Sequence, residues 1–488
     1  MITPERFLAH LRERILVFDG AMGTNLQRQQ LTTADFGGFD GCNEALNLFA
    51  PHAVRKVHAD FVAAGCRAVE TNTFGANRLT LAEYGLENKV DAINKAAVRI
   101  AREALETGCP GEQRFVAASI GPTSRLPSLG HIGFEEMAAI YVEQVRSLWD
   151  AGADIFVVET CQDLLQVKAA LNALARLFRQ EGARRPVMVS VTLEAAGTML
   201  MGSDIGAVQS VLEPFGMIDV IGINCATGPL EMMRHVKVLA ESSGKAVSVM
   251  PNAGLPENVD GKPVYRLPPA EFGAFQKRFV EEYGVNVVGG CCGTTPEHLA
   301  AVAAAVGPIS PKNRDVRPVA SAASMYGSVG FIQEPPPCLV GERTNANGSR
   351  MFRDLLLAND WEGMTAMGKQ QARGGAHLID LSTAYVGRSE ITDMCELAPR
   401  FAKQVKLPLM IDSTDPAVIE AVLQRHGGRC VINSVNLEDG GVKLRTVAGL
   451  ARDYGAALIC LAIDEKGMAR TLERKLAVVR RLHDVLTR

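Results

Sequence analysis

Eight short runs of β-branched and other apolar residues recur along the first three hundred residues of the chain. They are ILVFD (15–19), RAVET (67–71), FVAASI (115–120), IFVVE (155–159), PVMVSVT (186–192), DVIGINC (219–225), AVSVM (246–250) and VNVVGGC (285–291). A run this short and this apolar suits a strand buried on both faces. Between most runs lies an amphipathic helical pattern, as in residues 134–149, where Met137, Ile140, Tyr141, Val145 and Leu148 share a stripe. The spacing between runs suits right-handed parallel crossovers. Eight such units predict an α/β chain whose residues 1–307 close into a (β/α)8, or TIM, barrel. An open doubly wound sheet is the alternative.

Residues 308–338 lack periodicity and hold six prolines, which marks a linker. A second series of the same type follows at CLVGER (338–343), AHLIDLS (376–382), PLMIDS (408–413), CVINSV (430–435) and ALICLAID (457–464). The last helix carries Leu472, Leu476, Val479, Leu482 and Leu486 on one face. Five strands do not close an eight-strand barrel. Residues 339–488 are therefore expected to form a second, truncated β/α barrel, one completed by another chain, or a smaller open sheet.

Charge excludes several function classes. Lysine and arginine number 51 against 54 acidic residues, so neither nucleic acid nor a polybasic membrane surface is expected as a partner. The N-terminal MITPERFLAHLRER carries charges where a secretory signal needs an apolar core. No apolar run approaches the ~18 residues of a membrane span. The 11 cysteines, scattered apart from one adjacent pair, suit reduced thiols in a cytoplasmic protein rather than a disulfide framework.

In a β/α barrel the chemistry sits at the C-terminal strand ends. Here those ends deliver Asp19-Gly20, Glu70-Thr71-Asn72, Ser119, Glu159-Thr160, Thr192, Asn224-Cys225, Pro251-Asn252 and Gly290-Cys291-Cys292-Gly293. Closure would bring Cys225 to Cys291 and Cys292. Three thiolates with a fourth position open suit a catalytic Zn²⁺. A vicinal disulfide or buried structural thiols is the other reading. Cys42, Cys66, Cys109, Cys161, Cys395, Cys430 and Cys460 read as packing residues. A tri-thiolate zinc is a weak activator of water but suits a thiol substrate, whose pKa the metal lowers. Asn252 is either a displaceable oxygen ligand or a loop-capping amide. Glu159 and Asp19 suit an ammonium group and the amides of residues 20–23 a carboxylate. Alone, the same residues read as a solvated acid and a turn.

These motifs are specific. DGAMGTNLQ (19–27), ETNTFGAN (70–77), ETCQD (159–163), GINCATGP (222–229), PNAG (251–254) and GGCCGTTPEH (289–298) resemble the homocysteine S-methyltransferase domain. The resemblance implies zinc held by Cys225, Cys291 and Cys292, with homocysteine near Asp19, Gly20 and Glu159, and Asn252 as a replaceable fourth ligand. GERTNANGSRMFRDLL (341–356), LPLMIDSTDPAVIEA (407–421), RCVINSVN (429–436) and AIDEKGMARTLERK (462–475) resemble the pterin-binding domain of the cobalamin-dependent methionine synthase family. A pterin ring needs paired donors and acceptors. Asp412 and Asn433 offer them, with Glu342, Asn345, Asp380 and Asp464 as further candidates; Asp464 reads equally as a satisfied polar group at a loop start.

There are departures. The second strand reads IDLSTAYVGR (379–388), where many relatives follow the Asp with an Asn. About three further βα units expected of the family are absent, as is any Asp-x-His-x-x-Gly cobalamin motif. The expected activity is methyl transfer to the zinc-bound homocysteine thiolate, giving methionine. The implied donor is methylcobalamin recharged by 5-methyltetrahydrofolate, with the cobalamin-binding domain supplied from elsewhere. The alternatives are a homocysteine methyltransferase using S-methylmethionine or a betaine beside a vestigial second domain, and a non-catalytic zinc- or folate-binding scaffold.

Overall fold

All eight runs of the first series form strands in the computed structural model, which describes residues 2–109, 111–259, 262–316 and 318–487. We number them β1 (Leu16–Val17), β2 (Ala68–Glu70), β3 (Phe115–Ile120), β4 (Ile155–Cys161), β5 (Val187–Val191), β6 (Val220–Asn224), β7 (Ala246–Met250) and β8 (Val287–Val288). Every ladder between them is parallel, in the order β1-β8-β7-β6-β5-β4-β3-β2. A parallel bridge between Phe18 and Ala68 brings the two ends together. The result is a nearly closed barrel, because each apolar run finds a neighbour on both sides. All six residues of β3 are buried.

The barrel opens at one end only. The helix Pro4–Glu13, capped by the Thr3 side chain on the Arg6 N–H, lays Phe7 and Leu11 into the strand interior beside Leu16, Phe115, Ile155, Met188 and Val287. The Phe7 and Phe115 rings meet edge to face at 5.5 Å. This apolar plug closes the N-terminal mouth, so polar groups converge at the other.

The chain divides into two compact units, Met1–Leu200 with Met217–Pro318, and Met201–Gly216 with Val319–Arg488. In the second unit β9 (Val340–Gly341), β10 (Leu378–Leu381), β11 (Leu409–Asp412), β12 (Val431–Leu437) and β13 (Ala457–Asp464) form a parallel sheet in chain order, edged by a two-residue antiparallel strand at Gly467–Met468. It is a curled half-barrel. Part of the stretch expected as linker is built into it. Ser321–Ala323 and Ser328–Gly330 form a hairpin that buries Ala322 among Leu378, Met410 and Val431. Ser210 of the helix Ile205–Leu212 is hydrogen-bonded to Ser321 in the same unit at 2.8 Å. Three-residue strands of small side chains leave no readable period in the sequence.

Two expectations change here. Of the stripe expected on the last helix, Leu472–Thr487, only Leu482 is buried, with Val478 beside it. Leu472, Leu476, Val479 and Leu486 are exposed. Among the described residues the sheet stops at its edge strand, and no element covers that side of the helix. For the same reason Cys460, expected to pack, is exposed on β13. Among the described residues, no helix is long and apolar enough to cross a membrane.

Candidate metal and thiol site

Cys225 follows β6, and Cys291 and Cys292 follow β8. Their sulfurs all lie within 4.8 Å of one another. Cys225 Sγ and Cys292 Sγ are 3.7 Å apart. Tetrahedral Zn–S bonds of ~2.3 Å place neighbouring sulfurs about 3.8 Å apart, so the spacing fits one such ion. None of the cysteines is in a disulfide. Hydrogen bonds from Cys225 and Cys291 hold the Cys292 thiol down at about 3. Cys225 is stabilised by Cys291 but donates to Cys292 and is buried, and it is pushed up to about 12. Donation to Cys225 and Cys292, with burial, pushes Cys291 up as well. Without a cation the cluster thus supports one thiolate; a divalent ion removes the penalty on the others.

The backbone supports this turn. Cys291 N–H donates to the Pro251 carbonyl at 2.8 Å, and Ala253 N–H to the Cys292 carbonyl at 3.0 Å. Asn252 lies between those two anchors, is 2% exposed, and has a buried Oδ1 with no partner. That orphaned oxygen, on the backbone turn that anchors Cys291 and Cys292, is free to take a ligand. Thr160, Cys225 and Ala226 have φ of 58°, 62° and 59°. Non-glycine residues rarely hold this conformation, and such strain gathers at functional mouths.

A second cluster lies at the same mouth. Asp19 accepts the Glu70 N–H on both carboxylate oxygens, at 3.2 and 3.1 Å. Glu159 accepts Ser119 Oγ at 2.5 Å, and Thr160 Oγ1 and Asn224 Nδ2 at 3.2 Å each. Burial, reinforced by neighbouring negative charge, raises the pKa of all three, Asp19 and Glu70 well above their ordinary values and Glu159 against the bonds from Ser119 and Thr160. Among the described residues no lysine or arginine pairs with any of the three. Glu70 Oε1 is buried and unpartnered. Glu70 ends β2 and was visible there, but strand-end acids are common, and only its neighbours reveal the shared deficit of positive charge. Gly20 is required by close approach: a Cβ there would lie 2.5 Å from Thr294 Oγ1. That hydroxyl accepts the Ala21 N–H at 3.2 Å, so this amide, expected to be open to a carboxylate, is already engaged.

In the second unit Asn345 Nδ2 donates to Asp380 at 3.0 Å and to Asp412 at 2.7 Å. Asn433 is registered beside Asp412 on the next strand, and Glu342 adds negative charge beside both acids. Burial raises Asp412 and lifts Asp380 to about 6. Five of the six expected pterin-site residues therefore come together. Asp464 does not. It is held by Arg474 at 2.6 Å and by Arg481 at 3.7 Å, which fits the structural role weighed for it.

The comparisons agree with this division. The family model described as homocysteine S-methyltransferase matches residues 16–306, and that of pterin binding enzymes matches 341–487. Methionine synthase of Mycobacterium leprae is 46% identical over 98% of this chain, and that of Mycobacterium tuberculosis 44%. The chain spans about 40% of the length of each. The metallated form of the homocysteine methyltransferase MmuM from Escherichia coli superposes with a TM-score of 0.51 at 26% identity, covering 62% of this chain and 99% of that one. Its oxidised form gives 0.50 at 25%. The chain belongs to the homocysteine S-methyltransferase family, and a segment similar to pterin-binding enzymes follows its barrel.

Proposed function

We propose that the first unit transfers a methyl group to the thiol of homocysteine, giving methionine. The observation that carries this is one barrel mouth with two deficits of positive charge: three sulfurs spaced for a single ion, and three buried carboxylates without a cation. Homocysteine, an amino-acid thiol, answers both. Cys225, Cys291 and Cys292 would hold zinc, with Asn252 giving way to the substrate. Zinc bound there lowers the pKa of a fourth-ligand thiol. Asp19 and Glu159, joined by Glu70, hold the ammonium group and so aim the sulfur. A sulfur lone pair then forms the bond to the methyl carbon, and the donor keeps the electron pair of the bond that breaks.

The donor in this reading is methylcobalamin, carried by a cobalamin-binding domain outside these residues and recharged from 5-methyltetrahydrofolate. The connections that follow the barrel strands carry exposed apolar side chains, among them Phe74, Leu129, Leu200 and Leu255, with Leu230 at the start of the helix Pro229–Ser242. Such a face suits a large docking partner more than a small free donor. Asn345, Asp380, Asp412 and Asn433, with Glu342, would hold the pterin.

The test is zinc analysis of the purified chain, with methionine formation from homocysteine measured in parallel with methylcobalamin, S-methylmethionine and betaine. About one zinc per chain and product from methylcobalamin are expected. Product only from the small donors would favour the alternative donor class. Bound zinc with no product from any donor would favour a scaffold.

A further inference from the structure

One side-chain amide at the open mouth has all four of its hydrogen-bonding positions filled. Asn224 ends β6, immediately before Cys225, and is buried. Its Oδ1 accepts the Thr160 N–H at 3.2 Å and Ser190 Oγ at 2.9 Å. Its Nδ2 donates to Thr160 Oγ1 at 2.8 Å and to Glu159 at 3.2 Å. The Thr160 N–H can only donate, so it fixes which end of the amide is oxygen and turns the NH2 toward Glu159. The backbone is held as well. The Asn224 carbonyl accepts Thr192 Oγ1 at 2.9 Å, and Thr160, bonded twice to the amide, holds its φ of 58°. Groups from β4 and β5 thus leave the amide one orientation.

The donors on Glu159 are uncharged: Ser119 Oγ on one oxygen, Asn224 Nδ2 and Thr160 Oγ1 on the other. Such donors fix a carboxylate's orientation without cancelling its charge, which stays available to a cationic ligand. An arginine or lysine in their place would supply that cation from within the protein. We propose that Asn224 is a positioning residue that sets substrate specificity: its amide holds Glu159 for the α-ammonium group, so that the mouth prefers an amino-acid thiol to the same thiol without its amino group. The inference rests on the homocysteine reading above and extends it to a residue outside the sulfurs and carboxylates.

Homocysteine and 4-mercaptobutanoate differ only in the α-amino group. Binding of each to the full, zinc-loaded chain is measured by calorimetry, with zinc analysis of the same samples. The unsubstituted chain prefers homocysteine. Asn224→Ala weakens homocysteine about tenfold and leaves 4-mercaptobutanoate within about twofold, as loss of a hydrogen bond to a charged group would, at unchanged zinc content. Equal weakening of both thiols, with or without loss of zinc, would assign Asn224 to the fold of the Cys225 turn and overturn the proposal. A preference for homocysteine that survives intact in the variant would also overturn it. Should the Ala form fail to fold, Ser190→Ala removes one anchor of the amide. Homocysteine alone then weakens, by about two- to threefold, and an unchanged ratio of the two affinities overturns the proposal. Equal or absent binding of the two thiols by the unsubstituted chain would sink the ammonium reading of Glu159 and this inference with it, whereas a preference that the variants keep sinks this inference alone.

Discussion

The same βα unit is used twice in this chain with opposite results. In the first unit every strand has two neighbours, and β3 is buried throughout. In the second, β13 meets only a two-residue strand on its outer side, and its Cys460 and Leu461 are exposed. Closure decides what each mouth can hold. The first gathers groups from β1, β2, β4, β6 and β8 around one point, so sulfurs and carboxylates from distant parts of the chain face each other. The second draws its polar cluster from an arc of neighbouring strands. Similar local sequences thus give one surrounded site and one open site.

The largest test of this contrast is Cys291→Ser. It removes one of three sulfurs from a preformed site, so bound zinc should fall at least about tenfold and methyl transfer at least ~10³-fold. Zinc analysis with the methionine assay reads both, and full activity would remove the sulfur cluster from the chemistry. Next is Phe7→Ala, which empties the plug at the closed end. The loss of a fully buried ring should cost about 3–5 kcal/mol in denaturant unfolding, with metal binding kept at temperatures where the barrel remains folded. A cost below about 1 kcal/mol would mean the plug does not hold the barrel. For the open unit, calorimetry with 5-methyltetrahydrofolate should give weak or no binding, because the described strands supply one arc of the expected site. A tight stoichiometric complex would break the contrast.

How much of this was legible in the sequence follows from the same physics. Buried parallel strands must be continuously apolar, so all eight barrel strands stood out. Strand order then brought Cys225 to Cys291 and Cys292 without further information. Asp19 and Glu159 were legible as strand-end acids. Glu70 carried the same signature but no sign of its missing partner. The exposed stripe of the last helix was misleading for a definite reason. An apolar face reports what a helix is able to bury, whereas burial also needs a neighbour. Asp464 stands apart from the other candidates because Arg474, ten positions on, folds back onto it.

The smallest effect expected concerns the open cluster itself. Asp380 is lifted from 3.8 to about 6, first by burial and against the bond from Asn345, with Asp412 and Glu342 adding repulsion. A raised carboxylate pKa means the folded chain binds the proton more tightly than the unfolded one. Stability is then fullest below about pH 4, falls as pH rises to about 6, and stays lower above that. Asp380→Asn removes the charge while leaving an oxygen for Asn345. It should therefore stabilise the second unit by on the order of 1 kcal/mol at pH 7.5 and by almost nothing at pH 4, as read by urea denaturation at the two pH values. In a surrounded site a neutralised acid of this kind would also disturb groups across the mouth. Here the gain should come alone, and a variant destabilised at pH 7.5 would show that the Asp380 charge is already compensated and that the second site is less open than its strands suggest.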